Sequence, residues 1–344
     1  MTSLCARKSV AFAVAMFLGG LLATGPARAQ TDFYHDKQIQ ILVAGTAGGG
    51  IDIGARIIAR YLGKYLPGNP NLVVQLMPGA GGIRMIDYMH TVAAKDGTVI
   101  GIVPPGPIIE PLIGKRKANY RMTDFTSIGA MTKEVSLCIS WGGSKFKTIQ
   151  DAMNQQMVVA GTGAGSSPDI YPVVLNEVLH TKFKLITGYQ GTKETMMAIE
   201  RSEVDGRCGW GWSSLKSTAT EWVKDKKINY LLQLSLEKSP NIPAPLVMDL
   251  VKDPADQQML TLLFGPLGLN KPFIAPPGLP PERTAELRHA FAQAVKDPEL
   301  VAEVIKLTGE ELEPTSGEDM QKLLERIYAT PEAVANKLRD ILSH

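Results

Sequence analysis

The hydrophobic pattern of the chain alternates between short β-branched runs and longer stretches with apolar residues three or four positions apart. Residues 38–43 (QIQILV) are typical of a strand, and Ala55, Ile58, Leu62 and Leu66 then recur at helical spacing. Glycine-rich turns separate such pairs. The order strand, glycine loop, helix, strand predicts a parallel α/β sheet.

The same order appears twice along the chain. Further strands are predicted over 71–76, 98–103, 157–160, 183–186 and 228–234, and further helices are predicted to begin near Ile83, Asp169, Glu194 and Pro281. The two halves are similar in kind but are not sequence repeats. They predict an α/β protein of two lobes.

The connections between the halves are rich in glycine and proline. We expect lobe 1 to contain residues 30–134 and 263–344, with the C-terminal helices docking on either lobe, and lobe 2 to contain residues 135–262. Loops at the carboxyl ends of parallel strands line a crevice in open α/β sheets. Two such lobes that face one another therefore predict a cleft able to close on a small molecule.

The first 29 residues form the three-part pattern of a secretory signal peptide. Arg7 and Lys8 precede an apolar run, and Ala27-Arg28-Ala29 is a small-x-small cleavage site. A membrane anchor is the alternative, because the uncharged run is nearly long enough to span a bilayer. Pro26 and the Ala-x-Ala ending favour cleavage near Ala29, and hence a soluble exported protein.

Charge and cysteine content narrow the class of protein. The whole chain of 344 residues carries a formal net charge of +2, which does not favour nucleic-acid binding. Beyond the predicted leader only Cys138 and Cys208 remain. They could pair in an oxidising compartment, but two buried free thiols are the favoured interpretation, because nothing in the sequence brings them within bridging distance.

Motifs for catalysis, metals and cofactors are missing from the sequence. The Gly161-x-Gly163-x-Gly165 run lacks the third glycine position and the acid of a dinucleotide fingerprint. No G-x-S-x-G, Walker A lysine, H-E-x-x-H or C-x-x-C spacing occurs. Glu203 and Asp205 are interpreted as a solvated turn. The sequence therefore predicts no enzyme, no metal site and no cofactor.

Backbone chemistry remains as the basis for a site. Loops between a strand end and a helix N-terminus direct free N–H groups at one point, where the helix dipole adds positive potential. Such loops bind an anion without needing arginine or lysine. Trp210 and Trp212 could form an aromatic wall for a ligand or pack at a domain junction. The residues thus favour an exported two-lobed binder of a small anion, with an enzyme as the alternative.

Motifs spread over residues 32–305 resemble one family in order and spacing. They are Gly48-Gly49-Gly50-x-Asp52-x-x-Ala55-Arg56, Met77-Pro78-Gly79-Ala80-Gly81-Gly82, Lys95-Asp96-Gly97-Thr98, Gly188-Tyr189-x-Gly191-Thr192, Glu203-Val204-Asp205-Gly206 and Ala275-Pro276-Pro277-Gly278. The chain is similar to the tripartite tricarboxylate transporter receptors, also called Bug-type extracytoplasmic solute receptors. The resemblance implies the periplasmic-binding-protein (Venus-flytrap) fold.

The resemblance also implies a function and a binding site. A receptor of this type lies in the periplasm, where it captures a small organic carboxylate and delivers it to the permease subunits of a tripartite membrane transporter. The expected ligand-binding residues of the first lobe are Thr46, Ala47, Gly48, Gly49, Gly50, Asp52, Gly79, Gly81 and Pro105. Those of the second lobe are Thr162, Gly163, Ser166, Ser167, Pro168, Tyr189, Gly191, Thr192, Asp205 and Trp212. Asp205 has the alternative role of fixing a loop or a water molecule.

The ligand itself stays open at this point. A larger or aromatic carboxylate and a simple C4–C6 di- or tricarboxylate are both compatible with the sequence. A secreted enzyme or a ligand-sensing module acting on a small organic acid is the alternative function. A monomer is expected, since the receptor must close and dock.

Overall fold

A computed structural model describes residues 33–45, 47–114, 118–163, 166–309 and 311–342. The predicted signal peptide and Thr46, one of the expected ligand-binding residues, lie outside the described residues. No helix in the described part of the chain has the length and apolar composition needed to cross a membrane.

Two separate sheets organise the described chain. The first has six strands in the order β11-β4-β10-β3-β1-β2 and the second has five in the order β7-β6-β8-β5-β9. The first sheet comprises β1 (Gln38–Val43), β2 (Asn71–Leu76), β3 (Val99–Ile102), β4 (Thr126–Thr132), β10 (Asn270–Ala275) and β11 (Thr315–Ser316). The second comprises β5 (Ser136–Trp141), β6 (Met157–Ala160), β7 (Phe183–Ile186), β8 (Gly206–Gly211) and β9 (Ile228–Leu234).

Helices follow most of the strands and cover the sheets. They are α1 (Gly50–Tyr61), α2 (Ile83–Thr91), α3 (Gly106–Ile113), α4 (Ile149–Asn154), α5 (Ser167–Val178), α6 (Thr192–Glu200), α7 (Trp212–Thr218), α8 (Thr220–Lys224), α9 (Val247–Leu250), α10 (Pro254–Phe264), α11 (Pro281–Ala294), α12 (Pro298–Thr308), α13 (Gly317–Tyr328) and α14 (Glu332–Ile341). Helix α1 shows the usual polarity, with Asp52 in its first turn and Arg60 in its last.

The predicted two-lobed α/β fold is confirmed, but the sheets are mixed rather than parallel. Strand β1 runs parallel to β2 and β3, whereas β10 is antiparallel to both β3 and β4. The proline-rich return passage predicted near 263–278 contains β10, a central strand. Pro272 is tolerated there next to a register shift between Phe273 and Ile274, where the ladder is already irregular.

The two sheets are joined through two chain crossings. One leads from Thr132 to Ser136 and the other from Leu234 to Asn270. The C-terminal helices touch both sides of the molecule. Tyr328 accepts a hydrogen bond from the Met122 amide at 3.0 Å, and Lys337 lies 3.4 Å from Glu177 of α5. These helices therefore link lobe 1 to lobe 2.

Cys138 and Cys208 form a disulfide, so the prediction of two free thiols is wrong. The two residues are 70 positions apart, but β5 and β8 are adjacent antiparallel strands. Strand pairing, which spacing alone does not reveal, brings the two cysteines together. Both are fully buried.

We expect the disulfide to contribute strongly to the stability of the second lobe. Replacing both cysteines by serine should lower the free energy of unfolding by about 2–4 kcal/mol, because the unfolded chain regains the entropy of a long open loop. Urea unfolding measures this loss. Reductant should lower the urea unfolding midpoint of the native protein, and it should leave the unfolding midpoint of the double variant unchanged. Equal midpoints for both oxidised proteins would contradict the expectation.

Candidate functional site

The first lobe presents three loops at one edge of its sheet. Since β1, β2 and β3 are parallel, the segments that follow them meet at their carboxyl ends. Gly48 and Gly81 are exposed in two of these loops, with φ of +76° and +64°. A Cβ atom at either position would meet no atom within 4 Å, so both loops border open space. Pro105, exposed at the start of α3, belongs to the third loop.

Asp52 holds the first loop in place from below. Its side chain is almost fully buried, accepts a hydrogen bond from the Gly48 amide at 2.8 Å and pairs with Arg56 at 2.9 Å. Burial by itself would raise the pKa of Asp52, but the Gly48 amide and Arg56 outweigh it and hold the pKa below its ordinary value of 3.8. Asp52 thus shapes the loop from beneath, with its carboxylate already engaged by the chain.

The second lobe repeats this arrangement at the ends of its parallel strands β6, β7 and β8. Asp169, in the first turn of α5, accepts a hydrogen bond from the Gly163 amide at 2.6 Å. Its carboxylate also accepts from Ser166 Oγ at 3.2 Å and from Thr187 Oγ1 at 2.8 Å. Thr162 Oγ1 donates to Ser166 Oγ at 3.0 Å, which ties two predicted site residues together. Asp169 was not among the predicted site residues.

The Gly188–Thr192 segment is the second loop of this lobe. The amide of Tyr189 donates to the carbonyl of Gly161 at 3.3 Å, so this loop adjoins the first one. Gly191 precedes α6, and a Cβ atom there would meet nothing within 4 Å. The predicted residues Thr162, Gly163, Ser166, Tyr189 and Gly191 are therefore brought together at the same edge.

Trp212 lies next to the crossing between the lobes. It is partly buried, stacks edge-on against Tyr230 with ring centroids 5.9 Å apart, and its amide donates to the Val135 carbonyl at 2.8 Å. Glu134 of the same crossing accepts hydrogen bonds from the amide and hydroxyl of Ser213. A small hollow of about 60 Å³ opens here, bordered by Trp212, Ser213 and Lys216 on one side and by Asn270 on the other. No sequence pattern pointed to Glu134 as a residue of this region.

Two of the residues singled out in the sequence lie away from the strand ends. The Asp205 carboxylate accepts from the Val158 amide at 2.8 Å near the start of β6, which is the loop-fixing alternative rather than an open position for ligand. Glu203 is exposed in the turn, as expected, and only Asp205 departs from the solvated turn predicted for the pair. Trp210 is buried in the core of the second lobe against Trp222, whereas a ligand wall would need an exposed ring. Pro168 is buried and Ser167 is exposed at the start of α5.

Comparison with known proteins identifies the family. The model of the tripartite tricarboxylate transporter family receptors matches residues 55–338. A TctC solute-binding protein from Polaromonas is similar over 88% of this chain and 99% of its own, with a TM-score of 0.70 and 18% identity. MatC from Rhodopseudomonas palustris with bound malate is similar over 89% and 98%, with a TM-score of 0.53 and 19% identity. An R. palustris protein with adipate is similar over 88% and 97%, with a TM-score of 0.55 and 18% identity.

The fold and the two sets of glycine loops define a two-lobed solute-binding protein. The chain belongs to the tripartite tricarboxylate transporter receptor family, whose members are periplasmic solute-binding receptors. It is a receptor and not an enzyme. The resemblance found in the sequence is thus confirmed.

The pairing of Asp52 predicts a pH-dependent effect of its removal. A carboxyl group whose pKa is lowered by folding stabilises the protein above its ordinary value of 3.8 and loses this contribution as the pH falls through the lowered pKa. Asp52→Asn should therefore lower the free energy of unfolding near neutral pH by about 1–3 kcal/mol. The difference from the native protein should shrink in acid, as measured by urea unfolding.

Asp36→Asn is the matched control for that experiment. The Asp36 side chain is 89% exposed, so its removal should leave stability nearly unchanged at every pH. A loss for Asp52→Asn that stays constant from neutral pH to strong acid would contradict the role assigned to the carboxylate.

Proposed function

We propose that this protein captures a small dicarboxylate in the periplasm and delivers it to the permease subunits of a tripartite membrane transporter. The observation that carries the proposal is the pair of glycine loops in each lobe, whose backbone faces open space at the ends of parallel strands. Free N–H groups at such strand-to-helix junctions suit carboxylate oxygens.

The chemical class of the ligand is supported by relatives of the same fold. Malate and adipate, named in the two R. palustris structures, are both small dicarboxylates. The acids of the first helical turns do not oppose such a ligand, because Asp52 is paired with Arg56 and Asp169 is hydrogen-bonded by its own loop. The N–H groups that these acids leave unused are available to an anion.

The proposed mechanism is closure of one lobe on the other. Lobe 1, proposed as residues 30–134 and 263–344, binds the ligand on its loops, and lobe 2, proposed as residues 135–262, then covers it. A ligand that contacts both lobes shifts the population toward the closed state by its additional affinity for that state. The closed form is then the one that docks on the permease.

Gly49→Asp tests the proposed site. The backbone at Gly49 has φ of −73°, which any residue adopts, and aspartate is a favourable residue before a helix. The fold should therefore survive, while the new carboxylate occupies the ligand site and repels an anionic ligand. We expect the increase in thermal midpoint with malate or adipate to be lost, and calorimetric affinity to fall at least about tenfold.

Gly143→Asp is the matched control in the same experiment. Gly143 lies in a turn just after the end of β5, far from the strand ends that form the site, and a Cβ atom there makes only an ordinary contact of 3.6 Å with Trp141. The Gly143→Asp variant should bind malate and adipate with the same affinity as the native protein. Undiminished binding by Gly49→Asp would rule out the first loop as the ligand site. Turnover of the bound acid would contradict a receptor function.

A further inference from the structure

Arg207 is a buried cation in the second lobe without an ion-pair partner among the described residues. It belongs to β8 and is 6% exposed. Its Nη1 donates to Thr195 Oγ1 at 2.9 Å, and its guanidinium lies 5.0 Å from the centre of the Trp210 ring. Its Nε is buried with no hydrogen-bond partner. The positive charge of Arg207 is therefore in contact with one neutral hydrogen-bond acceptor, Thr195, and one aromatic ring, Trp210.

The position of Arg207 connects it to the candidate site. Thr195 lies in the first turn of α6, directly after the Gly188–Thr192 loop. The nearby carboxylate that acts on Arg207 electrostatically is Asp169, in the first turn of α5. The guanidinium thus lies beneath the two helix N-termini whose loops form the second half of the cleft.

Asp169 does not neutralise this charge fully. It makes no direct ion pair with Arg207, and its oxygens already accept from the Gly163 amide and the hydroxyls of Ser166 and Thr187. Burial lowers the pKa of Arg207 to about 10, with Asp169 acting in the opposite direction, so the group remains charged near neutral pH. A buried charge without a close counter-ion is stabilised when an anion approaches it.

Lobe 1 also has a buried cation, Lys271 of β10, which packs against Gly54 of α1 and has a partner of its own. Arg56 is half-exposed and is committed to Asp52. The two cations described near the first loop of lobe 1 are therefore engaged, whereas the desolvated Arg207 behind the loops of lobe 2 has no ion-pair partner among the described residues. A ligand with a carboxylate at each end matches this asymmetry.

We propose that Arg207 is a specificity-determining residue, which pairs with the second carboxylate of the ligand as the lobes close and so selects dianions over monoanions. This inference rests on the proposed function. It makes Arg207 the source of discrimination, while the glycine loops supply affinity for one carboxylate that both kinds of ligand possess.

The test compares adipate and malate with their monoamides, which keep the length and one carboxylate but lose one charge. The native protein should bind each diacid more tightly than its monoamide. Arg207→Gln should lower diacid affinity at least about tenfold, since hydrogen bonds to charged groups are strong, and leave monoamide affinity nearly unchanged. Arg207→Lys should recover part of the preference, because it restores the charge but not the planar fork.

Arg201→Gln is the matched control, since it removes one positive charge from the same lobe at a side chain that is 70% exposed. It should preserve the ratio of diacid to monoamide affinity. Urea midpoints identify any variant that is unfolded.

Each contradicting outcome has a distinct meaning. If Arg207→Gln weakens diacid and monoamide equally, Arg207 only supports the fold and the inference fails. If the native protein binds a diacid and its monoamide equally well, the inference fails whatever the variants do, and the proposed function stands. If the native protein binds none of these ligands, the proposed function fails and the inference falls with it.

Discussion

A carboxylate in the first turn of a helix, reaching back to an amide of the preceding glycine loop, fixes the shape of both halves of the candidate site. Asp52 does this for Gly48 at 2.8 Å, and Asp169 does it for Gly163 at 2.6 Å. A glycine-rich loop loses much conformational entropy when it is ordered, and a charge-assisted hydrogen bond offsets part of that cost. The same solution in two lobes without sequence repeats reflects the shared geometry of a strand that turns into a helix.

The buried acids in the first helical turns of the two lobes are neutralised differently. Asp52 has Arg56 one helical turn away, so the first lobe is locally balanced. Asp169 relies on loop donors, and Arg207 is left with Thr195 as its hydrogen-bond acceptor. Buried charges without close partners are costly in a stable fold, and they are common where function requires a ligand to supply the missing charge.

One chain crossing and the C-terminal helices carry contacts that tie parts of the two lobes together. Glu134 of one crossing bonds the start of α7, and the amide of Trp212 bonds the neighbouring Val135 carbonyl. The C-terminal helices add a second link, through Tyr328 on one lobe and Lys337 near the other. The closure proposed above would have to preserve these contacts or break them.

The sequence by itself determined the α/β class, most strands and the glycine loops, because hydrophobic period and turn residues are local properties. Residues 38–43, 71–76, 157–160, 183–186 and 228–234 are strands as predicted. The antiparallel strand β10, with its internal proline, was missed, since only pairing with β3 and β4 stabilises it. The disulfide, the contact of Asp205 with Val158, the burial of Trp210 and the isolation of Arg207 were decided by tertiary structure alone. Each depends on which strands are neighbours, and a single sequence does not encode that in any local pattern.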